Sequence, residues 1–246
     1  MRWSALSIRK SKSIAFVSFA FTLVYFLVVA TKRGDATREH LLDVAEQLFG
    51  ERGVANVSLR EIQIAAEVRN TAAIHFHFGD RDGLLDALAH RHIARIGARQ
   101  QELWDKLVAD GATSDTRRLV EILVRPCAEY ITLGPSERAW VKIMAELAAA
   151  PDVRLNEMAE LAPSRGVEAG QLLHSQMMHV VCDKIARERI YLCARLAVGG
   201  SADRARLTDD ETVRTKALPE EVFIENLIDM IGGALFAPAT PPAPPA

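Results

Sequence analysis

The sequence has 246 residues, of which 49% are hydrophobic and 25% charged, and its formal net charge is −2. This is the composition of a globular protein with a buried core, and it excludes a polybasic chain. Any affinity for nucleic acid must therefore come from a local basic surface rather than from bulk charge. Ala, Leu, Glu and Arg are abundant and no segment alternates convincingly between polar and apolar residues, so an all-α fold is predicted.

The first thirty-one residues form a hydrophobic extension in which positions 13–31 carry no charge. That run is about long enough to span a bilayer as a helix, which needs roughly 17–25 residues. Three interpretations stay open: a membrane anchor or signal, a hydrophobic arm packed on the following domain, or a segment that is not translated because synthesis starts downstream, for example at Val28 or Val29. Basic residues flank the run on both sides, so the positive-inside rule predicts no orientation.

Three short helices are predicted between residues 32 and 80. The first covers 35–52 and ends at a glycine, and Ser58 begins the second with Glu61 three residues later, which is the pattern of a capping box. The third covers about 70–76. Asp80 then caps a fourth helix. Residues 32–80 are therefore predicted to form one small domain.

Residues 81–237 are predicted to be a helical domain in which Gly and Pro separate the helices. Breaks are expected at 111–115, at 134–136 and around Pro151 and Pro163, and a last helix begins near Pro219. The Pro-rich end, 238–246, is predicted to be a disordered tail. The three cysteines are too few for a disulfide framework, and burial as small hydrophobic residues is expected for Cys127, Cys182 and Cys193.

The tight link between the second and third helices, residues 67–69, is typical of a helix-turn-helix. Asn70, Thr71 and His75 are predicted to share one face of the third helix, since four residues make about one turn. Asn and Thr suit base edges in the major groove, and Arg69 suits guanine or phosphate. No acidic residue shares this face.

Residues 41–88 resemble the DNA-binding domain of the TetR family of homodimeric, ligand-responsive repressors. The residues that carry the resemblance are Phe49, Gly53, Ser58, Ile64, Ala65, the pair His77-Phe78, Arg81 and Leu84-Leu85. The resemblance implies phosphate contacts from His77 and Arg81, while Arg60 is placed to touch the DNA backbone from the second helix. The sequence departs from the family pattern in two places: in the turn, where Glu67 and Val68 stand although a glycine or small residue is usual, and at His75, where tyrosine is frequent.

The family resemblance also implies a helical C-terminal domain that binds a small molecule and forms a homodimer through the last two helices. Aromatic, Met and His residues at helical spacing are the candidates for the ligand pocket: Trp104, Tyr130, Trp140, Met144, His174 and Met177. Neither a cofactor motif nor a metal-binding set is recognised, and the common catalytic motifs are missing from the sequence. The sequence thus predicts a cytoplasmic regulator that binds operator DNA and an effector. The alternative is a helical sensor or scaffold, tethered to a membrane through residues 13–31, that does not bind DNA.

Overall fold

The computed structural model describes residues 34–70, 72–149, 165–210 and 217–239. Regular structure within these ranges is helical throughout, which confirms the predicted all-α class. Helix α1 covers residues 34–52 and is followed by a short 3₁₀ turn at Val54–Asn56. The helices that follow are α2 (Leu59–Ala65), α3 (Ala73–Phe78), α4 (Arg81–Ala109), α5 (Thr116–Tyr130), α6 (Pro135–Ala149), α7 (Arg165–Met177), α8 (Asp183–Asp209) and α9 (Glu220–Phe236).

A first hydrophobic core, here called the junction core, joins the three N-terminal helices to the rest of the chain. Apolar residues at helical spacing in α1 meet the inward sides of α2, α3 and the start of α4. The same core continues into α5, α6 and α8. Its members include Leu41, Phe49, Ile62, Ile74, Leu84, Leu88, Tyr130, Trp140, Val141 and Ala205. The N-terminal helices therefore have no separate core of their own.

A second core, here called the C-terminal core, lies around α5. This helix packs against α4, α7, α8 and α9, so it is the centre of the C-terminal bundle. Apolar side chains from the end of α4, from α7 and from the inward stripe of α9 complete this core. Its members include Leu107, Leu119, Ile122, Val124, Leu173, Met177, Ile224, Ile228, Ile231 and Leu235.

Several local predictions agree with the structure and a few are corrected. The predicted boundary after residue 80 coincides with the start of α4. The junction core nevertheless contains residues from both sides of this boundary. The third helix begins at Ala73 instead of residue 70, and α6 begins at Pro135, in the segment predicted as a break. Cys127 and Cys193 are buried as predicted, whereas Cys182 is exposed because it precedes the first turn of α8. The N-terminal extension and the tail from residue 240 lie outside the described residues.

Candidate nucleic-acid interface

The start of α2 is fixed by the predicted capping box. The Ser58 hydroxyl accepts the backbone N–H of Glu61, and the Glu61 carboxylate accepts the backbone N–H of Ser58 at 2.8 Å. These bonds satisfy N–H groups that a helix start otherwise leaves unpaired. The Ser58 backbone N–H, together with Arg52 and the Ser58 hydroxyl, lowers the pKa of Glu61 to about 2. The carboxylate therefore stays ionised, and the cap persists, at neutral pH.

The turn between α2 and α3 contains a residue in the left-handed region. Glu67 has φ of 53°, a conformation that favours glycine. This turn is one of the two places in which the sequence departs from the family pattern. The turn is closed by the side-chain amide of Gln63, which donates to the carbonyl of Asn70 at 2.7 Å. The chain thus keeps a tight turn without the glycine, at a cost in backbone conformation.

Helix α3 is short and has one buried and one exposed side. Ala73 and Ile74 are buried, and His75 and Phe76 are exposed. Asn70 lies just before the helix, and its side-chain oxygen accepts the backbone N–H of Ala72 at 3.0 Å. That bond lies in the turn before α3, whose N-cap residue Ala72 makes no side-chain capping bond. It leaves the Asn70 amide group as the part of this side chain that can bind a base edge.

Three other predicted DNA contacts lie around α3. Thr71 is outside the described residues. The His75 ring nitrogen Nδ1 contacts the carbonyl of Gly79, which holds the imidazole along the end of the helix. His77 is half-buried, and its ring lies against Phe76 and Phe78, with centroid distances of 5.0 and 6.1 Å.

The three predicted arginines lie in two kinds of environment. Arg60 is exposed on α2, and Arg69 is exposed in the turn before α3. Arg81 instead points back into the domain. Its guanidinium donates to the carbonyl of Val57 at 2.8 Å and to that of Val54, and it lies 5.3 Å from the centre of the Phe49 ring. The structure therefore gives Arg81 a scaffolding role, in which it ties the loop before α2 to the start of α4.

A buried polar group connects this domain to the C-terminal helices, and sequence reasoning missed it. Glu46 of α1 contacts His92 of α4 at 2.5 Å between Oε1 and Nε2, and both side chains are almost fully buried. The other ring nitrogen of His92 is 2.8 Å from the Tyr130 hydroxyl. The second Glu46 oxygen accepts from Arg91 at 3.2 Å and from Ser136 at 3.0 Å. We call these five residues the junction network.

The ring of Trp140 is stacked on His92, with the two planes 8° apart and the centroids separated by 5.1 Å. Burial raises the pKa of Tyr130 to about 12, so its hydroxyl stays protonated. In this arrangement the His92 ring lies between the Glu46 carboxylate, on its Nε2 side, and the Tyr130 hydroxyl, on its Nδ1 side. Glu46 and His92 are almost fully buried, so neither can exchange its partner for water. The network therefore fixes the position of α1 relative to α4 and α5.

Five of the six candidate ligand-pocket residues are divided between the two cores. Tyr130, Trp140 and Met144 belong to or pack on the junction core, whereas Trp104 and Met177 belong to or pack on the C-terminal core. His174 is on the same helix as Met177 and is 3.0 Å from the Asp183 carboxylate. A cleft of about 480 Å³ lies between α1 and α6 and is lined by none of the six; its walls carry Asp43, Glu46, Gln47, Gly50, Glu51, Pro135, Ser136, Ala139, Lys142 and Asp209.

Two features of the described ranges bear on other functions. Within them, no helix has the length and apolar character needed to cross a membrane. The same ranges contain no group of three or more His, Cys, Asp or Glu side chains arranged to hold a metal ion. The hydrophobic run at 13–31 lies outside the described ranges.

A capped second helix, a tight turn and a short exposed third helix define a helix-turn-helix DNA-binding domain. Residues 41–88 match the family model described as bacterial regulatory proteins, tetR family. The similarity of the chain to this family is therefore shown over these residues.

Two curated regulators and one solved structure illustrate its similarities. The chain is 36% identical over 87 residues to the HTH-type transcriptional regulator AcrR of Shigella flexneri, covering 35% of this chain and 40% of that protein. It is 28% identical over 181 residues to the HTH-type transcriptional repressor AcnR of Corynebacterium glutamicum, covering 72% of this chain and 90% of AcnR. The crystal structure of an alanine-substituted HlyIIR mutant aligns with a TM-score of 0.48 at 15% identity, over 82% of this chain and 96% of that one.

Proposed function

We propose that this protein is a transcriptional repressor that binds operator DNA as a homodimer and releases it when a small molecule binds the C-terminal domain. The observation that carries the proposal is α3 itself. Its exposed side follows Arg69 and Asn70 along the chain, and no acidic residue occurs between Arg69 and Gly79. A short helix presented in this way fits the major groove, which is about 12 Å wide.

The roles of the side chains follow from their placement. Arg60, Arg69 and His77 supply phosphate contacts, which position the protein without reading sequence. Asn70 and Thr71 read base edges, and His75 is exposed on α3. Arg81 acts indirectly in this proposal, because its guanidinium is already bound to two backbone carbonyls and so sets the position of α2.

Dimerisation through α8 and α9 is supported by apolar side chains that these two packed helices leave exposed. Leu192 and Leu196 on α8 are one helical turn apart, and Val222 and Met230 on α9 are each about half exposed. Exposed apolar patches of this kind mark association surfaces. A dimer related by twofold symmetry would present two α3 helices to successive major grooves, about 34–36 Å apart.

The effector is proposed to act on the spacing of these two helices. Because the junction network links α1 to α4, α5 and α6, a rearrangement of the C-terminal helices reaches the DNA-binding domain through buried contacts. Trp104, His174 and Met177 remain the candidates nearest the C-terminal core, and Tyr130, Trp140 and Met144 those at the junction. A coupling free energy of about 1–3 kcal/mol between effector and operator is enough for regulation.

The test is fluorescence anisotropy with DNA from upstream of the protein's own gene and random DNA as competitor. We expect binding that survives the competitor. His77→Ala should weaken specific and random DNA alike, because it removes a phosphate contact, whereas Thr71→Ala should mainly reduce the preference for the specific site. A chain that begins at Thr31 should bind equally well if residues 1–30 are dispensable. Failure of the folded dimer on every upstream fragment at low salt would favour the membrane-tethered sensor.

A further inference from the structure

Helix α3 exposes an aromatic ring that neither the family resemblance nor the sequence patterns assign to DNA contact. The Phe76 side chain is 81% exposed, the largest value among the exposed large hydrophobic side chains of the described ranges. Its neighbours His75 and Ala72 are exposed as well. The backbone N–H of Phe76 donates to the Ala72 carbonyl at 2.8 Å, so the two residues are one helical turn apart on the same side.

The surface formed by Ala72 and Phe76 is apolar. It lies on the side of α3 opposite the buried Ala73 and Ile74. The ring of Phe76 meets the ring of His77 edge to face, with planes at 81° and centroids 5.0 Å apart, and this contact restrains the phenyl group. A phenyl ring cannot donate to a phosphate or accept from a base, so polar readout is excluded for this residue.

We propose that Phe76, assisted by the methyl group of Ala72, contacts the 5-methyl group of thymine in the major groove of the operator. This inference rests on the proposed function and adds to it a residue that determines specificity. Ala and Phe are both side chains that make apolar contacts with the thymine methyl group. Because the oxygen of the Asn70 side chain is engaged by the Ala72 N–H, polar readout at the start of α3 is reduced, and apolar readout one turn later complements it.

The experiment replaces thymine with deoxyuridine, which lacks only that methyl group. An operator is first selected from a random DNA pool with the full chain, and each thymine of one half-site is then replaced singly. Anisotropy titrations compare the unmodified protein with Phe76→Ala and with Ile64→Ala. Ile64 is the matched control because it is a large apolar residue of the same domain, 66% exposed, on α2.

The unmodified protein is expected to lose about fourfold in affinity at one or two thymines, the value of one buried methylene-sized group. Phe76→Ala should bind thymine and uracil equally at those positions, and Ile64→Ala should keep the loss. If Phe76→Ala binds too weakly to titrate, Phe76→Leu should show a smaller loss than the unmodified protein.

Two results would overturn the assignment. In the first, the unmodified protein binds every deoxyuridine-containing operator as tightly as the thymine operator; in the second, the Phe76 variants lose as much affinity on replacement as the unmodified protein does. Both presuppose that the unmodified protein prefers the selected operator over random DNA. If that preference itself is missing, the proposed function has failed, and the two failures are therefore distinguished in one set of titrations.

Discussion

The two cores of this protein differ in how their charged groups are placed. In the junction core, Glu46 and His92 are both almost fully buried and contact each other. At the edge of the C-terminal core, Arg125 is buried, but the four carboxylates around it, Glu121, Glu129, Glu221 and Glu225, remain partly exposed. The first arrangement depends on a defined geometry, because neither partner can turn to water when the other moves. The second tolerates movement, since solvent can replace a lost partner.

This difference suggests a division of roles between the two cores. The junction core lies where the DNA-binding domain meets the other helices, and there a rigid fit transmits a displacement. The C-terminal core surrounds α5. Ion pairs at its edge join α5 to α9, and these pairs can adjust. Under the proposed function, the C-terminal core changes shape when the effector binds and the junction core passes that change on.

The largest expected effect comes from breaking the buried pair. Glu46→Ala leaves His92, Arg91 and Ser136 without their common partner, and we expect a loss of about 3–5 kcal/mol in the free energy of unfolding. Urea denaturation followed by circular dichroism measures it. The double variant Glu46→Leu and His92→Leu should recover a large part of this loss, since neither of these two buried polar side chains then remains without the other. A loss of only about 1 kcal/mol in Glu46→Ala would place this pair with ordinary surface ion pairs.

The second effect concerns how closely helices pack at a glycine in each of the two cores. A Cβ added at Gly50 would lie 2.5 Å from the Cβ of Ala139, so α1 and α6 would have to separate. At Gly200 an added Cβ would lie 3.4 Å from a methyl group of Leu227, which is ordinary contact. We expect Gly50→Ala to destabilise the protein by about 1–3 kcal/mol.

Gly200→Ala serves as the matched control, and it should be neutral or stabilising by up to about 1 kcal/mol. Thermal unfolding of the two variants under one set of conditions makes the comparison. Equal changes in the two variants would show that the junction is no more tightly packed than the C-terminal bundle.

The features that sequence predicted well are local ones. Ser58 with Glu61, and Asp80 before α4, could be recognised because a helix cap involves residues only three positions apart. The all-α class followed from composition and periodicity. The predicted start of α3 is too early: Asn70 accepts the backbone N–H of Ala72 from outside the helix, and the first helical residue is Ala73.

The features that sequence missed depend on distant partners. Arg81 was expected at phosphate, yet its guanidinium binds carbonyls that lie 24 and 27 residues earlier in the chain. The contact between Glu46 and His92 likewise joins residues that no local pattern connects. Helical spacing also could not separate Trp140 from Trp104, which pack in different cores, because periodicity identifies an inward face without identifying what that face meets.

The third effect tests the turn that positions α3. Glu67→Gly should stabilise the protein by about 1 kcal/mol, because glycine adopts the observed positive φ without the steric penalty of a side chain. Urea denaturation measures the gain. Glu67→Gln keeps the side chain but removes its charge, and it should leave the stability unchanged. A gain in the Gln variant equal to that in the Gly variant would point to charge instead of backbone conformation.

The smallest effect is the acid sensitivity of the ion pairs between α5 and α9. The Arg117 guanidinium lowers the pKa of Glu225 through a hydrogen bond, with Arg125 contributing as well. A carboxyl whose pKa is lower in the folded than in the unfolded state adds stability above its unfolded pKa of about 4.3, and this contribution disappears as the pH falls through the folded value. Arg117→Met should therefore be less stable than the unmodified protein at about pH 6, and the gap should narrow toward about pH 3.

Paired urea titrations over that pH range cancel the carboxyl groups that the two proteins share, so the narrowing reports the Arg117 pairs alone. In the same series, Glu46→Ala should already be much less stable than the unmodified protein at neutral pH. That loss of stability comes from buried groups left without a partner, and not from the lowered pKa of an exposed carboxyl. If the Arg117→Met gap keeps its size in acid, the partly exposed pairs of the C-terminal core do not act through ionisation. Ion pairs that adjust to solvent would then not distinguish the C-terminal core from the junction core.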